Sequence, residues 1–241
     1  MTLNELVDHL KTGLREMMED VRSFSEDPDT AVRPEYLKTM AIARVLKAAV
    51  LERAVVRLEQ DARTTLGGSV LPGSRRSGFG ALVSRPGEVD IVVSVEENGW
   101  KHPVVVVENK RYAAGYSTIE KDAIRCAEFI AAQGNEGSIE VGVVTYLRRE
   151  TNGLTFDHLD KVGTSALDRI QKKADTLAST LGVNHQHARI DLDARAFATE
   201  TEALAQDPEG MPAYLCRPPF KVWGAMEIFW REPSRARLAK L

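Results

Sequence analysis

Asp90-Ile91-Val92-Val93-Ser94-Val95-Glu96-Glu97-Asn98-Gly99-Trp100-Lys101-His102-Pro103-Val104-Val105-Val106-Val107-Glu108-Asn109-Lys110 is the stretch that decides the fold. Asn-Gly between two runs rich in β-branched residues is the signature of a two-residue hairpin turn, so two antiparallel strands are predicted. Four consecutive valines leave no polar face. A strand of that kind belongs inside a sheet with helices above and below it. The expected class is α/β.

Centring the hairpin on Asn98 and Gly99 makes paired residue numbers sum to about 197, which puts Asp90 across from Val107 and next to Glu108. Side chains alternate along a strand, so Glu108 and Lys110 share a face and Asn109 points away. Three charged groups converge at one end of the hairpin. Two neighbouring carboxylates repel unless a cation lies between them, and Mg²⁺ is held by one or two carboxylates with waters and phosphate oxygens. Lys110 beside such a cation is suited to hold an attacking water and to offset charge on a phosphate. The alternative is a salt bridge at a strand end, common in α/β proteins and worth little.

On either side of the hairpin, Leu3, Leu6, Val7, Leu10, Leu14, Met17, Met18 and Val21 recur at helical spacing and predict an amphipathic helix. Ser25 to Asp29 breaks it, and Pro34 opens a second helix running from Glu35 to about Val50. Val55 to Leu58 reads as a short strand or as more of that helix. Leu66 to Gly80 is a Gly/Ser-rich loop carrying Arg75 and Arg76. Ser117-Thr118-Ile119-Glu120 has the form of a capping box and predicts a helix start, with a stop at Gln133-Gly134-Asn135. Val141 to Tyr146 returns as a strand. Farther on, Ala166 to Leu181 reads as a helix, Ala188 to Leu192 as a strand, Asp207 to Gly210 as a turn, and alternating Met226, Ile228 and Trp230 as a half-buried strand.

Asp90 before a hydrophobic strand, then a valine-rich strand ending in Glu108-Asn109-Lys110, then a helix, resembles the PD-(D/E)XK nuclease superfamily. Over about Glu35 to Tyr146 the element order is similar to that family's core of a helix, three strands, a helix and a further strand. Val89 stands where the family often has a proline, with Pro86 earlier in the turn. The resemblance implies a restriction-endonuclease-like mixed central sheet flanked by helices. It divides the chain into an N-terminal helical arm (1–33), a nuclease core (34–150) and a C-terminal α+β extension (151–241). It also implies that Asp90, Glu108 and the Asn109 carbonyl bind Mg²⁺ or Mn²⁺, that Lys110 serves the nucleophilic water, and that a glutamate from the first core helix joins them. Glu35 is the first candidate for that role, with Glu52 and Glu59 as competitors.

The implied activity is metal-dependent hydrolysis of phosphodiester bonds, in DNA first and with RNA as an open alternative, of a kind used in restriction or phage defence. A rival from another class is a non-catalytic DNA- or protein-binding subunit of a larger complex. The chain has 32 Lys plus Arg and 35 Asp plus Glu, a net charge of −3, which excludes a basic nucleic-acid coat and leaves room for the rival. Contacts to nucleic acid are expected from Arg75, Arg76, Arg111 and Tyr112, with further basic pairs at Arg148-Arg149 and Lys172-Lys173.

Trp100, Trp223 and Trp230 are expected to anchor packing, and His185 and His187 to be a solvated pair. The first helix has one sticky face, which can dock on its own core, a second copy in a homodimer or a partner subunit. Two distant cysteines, Cys126 and Cys216, build neither a disulfide framework nor a zinc site. No phosphate-binding glycine loop is present. Val104 to Val107 is the longest aliphatic run, far short of a membrane span of about 18 apolar residues. The acid-dotted start is wrong for a leader, so a cytoplasmic protein is expected.

Overall fold

A computed structural model describes residues 1–24, 34–52, 54–69, 87–133, 137–151, 155–195, 220–231 and 237–241. The elements are α1 (Leu3–Phe24), α2 (Pro34–Ala49), β1 (Ala54–Asp61), α3 (Ala62–Ser69), β2 (Glu88–Glu97), β3 (Trp100–Tyr112), α4 (Tyr116–Gln133), β4 (Val141–Glu150), α5 (Phe156–Leu181), β5 (Asn184–Arg195) and β6 (Phe220–Trp230). The six strands form one mixed sheet in the order β1-β2-β3-β4-β6-β5. Among neighbouring described strands, β3 and β4 are the parallel pair, joined by the crossover helix α4. The loop expected from Leu66 is instead helical as far as Ser69, the end of α3, where Ser69 Oγ donates to the Leu66 carbonyl at 2.6 Å; its Arg75 and Arg76, the turn at Asp207 and Cys216 lie outside the described residues.

The hairpin turns at Asn98 and Gly99, whose φ values of 54° and 77° are those of the twist-matched two-residue turn. From Glu97–Trp100 to Ser94–Pro103 the pairs follow the expected register, and from Val93–Val105 to Ile91–Val107 they are shifted by one. Pro103 has no N–H to give the ladder, and the irregularity falls where it pairs with Ser94. The shift corrects the expected pairing of Asp90 with Val107: Asp90 lies one step beyond Ile91–Val107, beside Glu108.

Because β3 lies inside the sheet, its valines serve two cores. Val105 and Val107 join Ile91, Val93 and the apolar faces of α1 and α2. Val106 joins Val92 and residues of α4 and α5 on the other side. A Cβ at Gly142 would stand 2.9 Å from the Cys126 carbonyl oxygen, so glycine lets α4 lie close on β4. Gly13 does the same for α1 against α2, where a Cβ would meet the Ile42 Cα at 2.8 Å.

α1 opens with a capping box the sequence reading passed over: Glu5 N–H donates to Thr2 Oγ1 at 3.2 Å and Thr2 N–H to Glu5 Oε2 at 2.6 Å. Leu6, Leu10, Leu14 and Met17 are fully buried in the core shared with α2 and the sheet, so the sticky face is used within the chain rather than offered to a second copy. α4 begins at Tyr116, one residue before the expected cap, because Thr118 N–H already bonds the Gly115 carbonyl. Val55 to Leu58 is a strand, part of β1.

β6 pairs with β4 on one side and β5 on the other. It is buried on both faces from Phe220 to Phe229, which corrects the half-buried expectation: its outer faces are covered by α1 on one side and α5 on the other. Trp223 is a buried anchor, Trp230 is partly buried, and Trp100, beside the hairpin turn, is 62% exposed. Among the described residues no helix is long and apolar enough to cross a membrane.

The side chains of His185 and His187 are enclosed, which corrects the solvated pair. Glu227, opposite His187 in the ladder, accepts from Tyr146 Oη at 2.6 Å and lies 2.8 Å from His185 Nε2 and from His187 Nδ1. His185 Nδ1 is 2.7 Å from Asp175 Oδ1, so both its nitrogens face carboxylates, an arrangement only the imidazolium satisfies. Burial opposes that charge, but Glu227 and Asp175 prevail and raise the His185 pKa. Burial likewise opposes ionisation of Glu227, yet His185, His187 and Tyr146 hold it down at about 2.

The His185 contribution is complete below the unfolded value of 6.5 and lost as pH rises through the folded value. That of Glu227 is present above 4.5 and lost as pH falls toward 2. Glu227→Gln therefore lowers the thermal midpoint most between these limits, by about 10 °C. Scanning calorimetry across pH checks this; a deficit that does not vary with pH contradicts it.

Candidate active site

The site is assembled where β2 begins and β3 ends. Asp90 stands at the third residue of β2, half-buried, and its Oδ2 accepts from the Asn109 backbone N–H at 2.5 Å. This bond ties the two strands at the point where Glu108 and Lys110 emerge. Glu59 of β1 falls opposite Asp90 in the ladder, between the pairs Leu58–Ile91 and Gln60–Val89, and has a φ of 50°. A non-glycine residue in that region is strained by about 1 kcal/mol or more, so the backbone beside Asp90 is held out of regular pairing.

The alternation along β3 holds at its end. Glu108 and Lys110 turn toward α4: Arg125 Nη2 lies 2.7 Å from Glu108 Oε1, and Asp122 Oδ2 lies 3.2 Å from Lys110 Nζ. Asn109 turns to the opposite face, where its Nδ2 donates to Thr39 Oγ1 at 2.9 Å and its Oδ1 accepts from Thr145 Oγ1. Glu35, in the first turn of α2, stands 3.8 Å from Lys110 Nζ. Glu52 borders a cleft with Glu97 and Asn98 at the other end of the hairpin, away from these groups. Arg111 is exposed and its guanidinium lies 5.4 Å from the Tyr112 ring centroid, just past the site.

Three residues that the sequence reading missed complete the arrangement. Asp122 and Arg125 are one helical turn apart on α4 and 3.5 Å from each other. Their spacing is ordinary for a helix, and only the close seating of α4 on β4 gives it meaning. Lys38 of α2 is fully buried and donates to the backbone carbonyls of Lys110 and Thr145, bridging β3 and β4 where their pairing becomes irregular. Burial lowers its pKa to about 7 despite the carboxylates of Glu35 and Asp90 nearby.

The electrostatics follow from burial. Glu108, 2% exposed, is pushed up to about 8 by loss of water and by Asp90 and Asp122, with Arg125 restraining the rise. Asp90 is raised for the same first reason, against the Asn109 N–H that stabilises its charge. For Lys110 burial acts the other way, but Asp122, Glu35 and Asp90 outweigh it and raise the pKa, so the ammonium is the persistent form.

Among the described residues no three His, Cys, Asp or Glu side chains group as a fully protein-held metal requires. Mg²⁺ asks for less, one or two carboxylates with waters. Asp90 and Glu108 are two such carboxylates side by side, and Glu108 Oε1 is buried without an aligned hydrogen-bond donor, its Arg125 neighbour notwithstanding. This donor set fits a hard divalent cation, with the carbonyl of Asn109, the residue after Glu108, as a further oxygen.

No protein-family model matches the chain, and neither does any curated protein or solved structure.

Asp122 is the anion nearest Lys110. Asp122→Asn should lower the Lys110 pKa and raise its labelling by an amine-directed acylating reagent at mildly alkaline pH several-fold. Peptide mass spectrometry reads the modification at Lys110, and unchanged labelling contradicts the assigned pairing.

Proposed function

We propose that this chain is a divalent-metal-dependent nuclease that hydrolyses phosphodiester bonds in DNA, built on the restriction-endonuclease-like fold of the PD-(D/E)XK superfamily. The observation that carries the reading is the meeting of Asp90 with Glu108 across the β2–β3 pair, with Lys110 on the Glu108 face. Supporting it is the order α2, antiparallel β1-β2-β3 with α3 inserted between β1 and β2, α4, and β4 parallel to β3, which is similar to the family core. A role in restriction or phage defence belongs to the same proposal.

In this reading Asp90, Glu108 and the Asn109 carbonyl hold Mg²⁺ or Mn²⁺. Such an ion, when bound, polarises the scissile phosphate and lowers the pKa of a bound water. Lys110, kept charged by Asp122 and Glu35, donates to the attacking water or to a phosphate oxygen and stabilises the charge that grows there. Glu35 meets the site through its ion pair with Lys110, which makes it a positioning residue. Arg125 balances Glu108 and keeps a buried carboxylate tolerable when no other cation is near. Arg111 and Tyr112, at the exposed end of β3, are placed to meet the backbone of DNA, and RNA has the same phosphodiester chemistry.

One contact favours a second reading. Arg125 already supplies a cation to Glu108 at 2.7 Å, as a structural ion pair would, and a protein of this kind serves as a non-catalytic DNA- or protein-binding subunit.

Supercoiled DNA incubated with Mg²⁺, Mn²⁺ or EDTA separates the readings. Wild type cleaves only with metal, Lys110→Ala loses about 100-fold or more in rate, and Asp90→Asn and Glu108→Gln lose cleavage while remaining folded. Salt-sensitive DNA binding with no metal-dependent turnover favours the binding subunit. Equal cleavage by Lys110→Ala overturns the assigned site.

A further inference from the structure

A cleft of about 500 Å³ separates the start of α4 from the middle of α5, with Gly115 and Tyr116 on one wall and Ile170, Arg169, Lys172 and Lys173 on the other. Its volume falls in the range of small-molecule sites. The three cations are exposed, and among the described residues none makes an ion pair. The carboxylates that could neutralise them on α5 are turned to β5 instead: Asp168 faces Arg189 at 3.8 Å, and Asp175 faces His185 at 2.7 Å. The three cations are thereby left without a partner on α5, on a chain of net charge −3; Glu120, one turn along α4, is the carboxylate felt by Tyr116.

Tyr116 supplies the other half of the chemistry. It packs partly against the core beneath α4, and burial raises its phenol pKa to about 12, so the ring at the cleft wall stays neutral. An aromatic face beside cations is the pairing that binds a base and its phosphate together. The neighbouring cleft, lined by Tyr112, Arg148 and Arg149, lacks that freedom: Arg148 is engaged by Glu150 and by the carbonyls of Ala113 and Ala114. Those bonds instead fix the Ala113–Ala114 segment, whose Ala114 lines both clefts.

The cleft also lies close to the carboxylate site. Tyr116 precedes Asp122 by six residues on α4, about 9 Å along the helix axis, and Asp122 touches Lys110 at 3.2 Å. We propose that this cleft binds one nucleoside phosphate of a nucleic-acid strand whose backbone passes the Lys110 site, with Tyr116 stacked on the base and Arg169, Lys172 and Lys173 around the phosphate. The choice of a strand over a free nucleotide rests on the nuclease reading; the subsite itself stands on the cleft.

Fluorescence polarisation of a short labelled oligodeoxynucleotide in EDTA, where no metal-dependent turnover occurs, tests the assignment on the full chain. Arg169→Gln/Lys172→Gln/Lys173→Gln should weaken binding at least tenfold at low salt and reduce the slope of log K against log salt by about 2. Tyr116→Leu should weaken binding by about tenfold, and Tyr116→Phe, which keeps the ring and the fold, should bind as wild type does. Wild-type affinity and slope in the triple variant overturn the subsite. A deoxynucleoside monophosphate that competes for the cleft as tightly as the unlabelled oligonucleotide does overturns the strand assignment. A wild type that leaves DNA uncut with Mg²⁺ and with Mn²⁺, while the triple variant still loses binding, removes the nuclease reading and leaves the subsite in place.

Discussion

Glu108 is a carboxylate at the end of a strand that the sheet buries on both faces, and the neighbourhood is organised around the cost of putting it there. Taking a charged group out of water is costly unless a cation or hydrogen bonds replace the lost hydration. Arg125 approaches from α4, which can come close because Gly142 carries no side chain beneath it. Asp90 lies beside Glu108 because its own oxygen is anchored on the Asn109 N–H. The two acids thus share one end of the hairpin, where either an internal arginine or a divalent ion can balance them.

Lys110 and Lys38 show how position decides what an amine does. Lys110, partly exposed, is flanked by Asp122 and Glu35 and keeps its proton, which suits it to stabilise negative charge rather than to accept a proton. Lys38 is enclosed, and its nitrogen is directed to the carbonyls of Lys110 and Thr145. It stands in for the regular ladder where β3 and β4 part, and so helps to fix the backbone from which the Lys110 side chain leaves. The Asn109–Thr39 and Thr145–Asn109 bonds secure the same strand ends from the α2 side.

The hairpin was legible because its signals are local: Asn-Gly for the turn, valines for burial, and a period of two for the faces. The register was one residue off toward its open end because Pro103 cannot donate to the ladder, a constraint visible in the sequence and not weighed there. Asp122, Arg125 and Lys38 carry no sequence signal, since their roles come from helices packed on opposite faces of the sheet. The last third of the chain was hardest to read. β6 pairs with both β4 and β5, and Glu227 looks like an exposed acid in sequence until His185, His187 and Tyr146 are brought around it from two other strands.

In the proposed function the paired ends of β2 and β3 form a cation site. Crystals of the protein grown with Mn²⁺ and measured near the manganese absorption edge test it directly. The expected result is an anomalous peak bounded by Asp90 and Glu108, with Arg125 displaced from Glu108. An absent peak with Arg125 still seated on Glu108, or a peak only elsewhere on the chain, contradicts it.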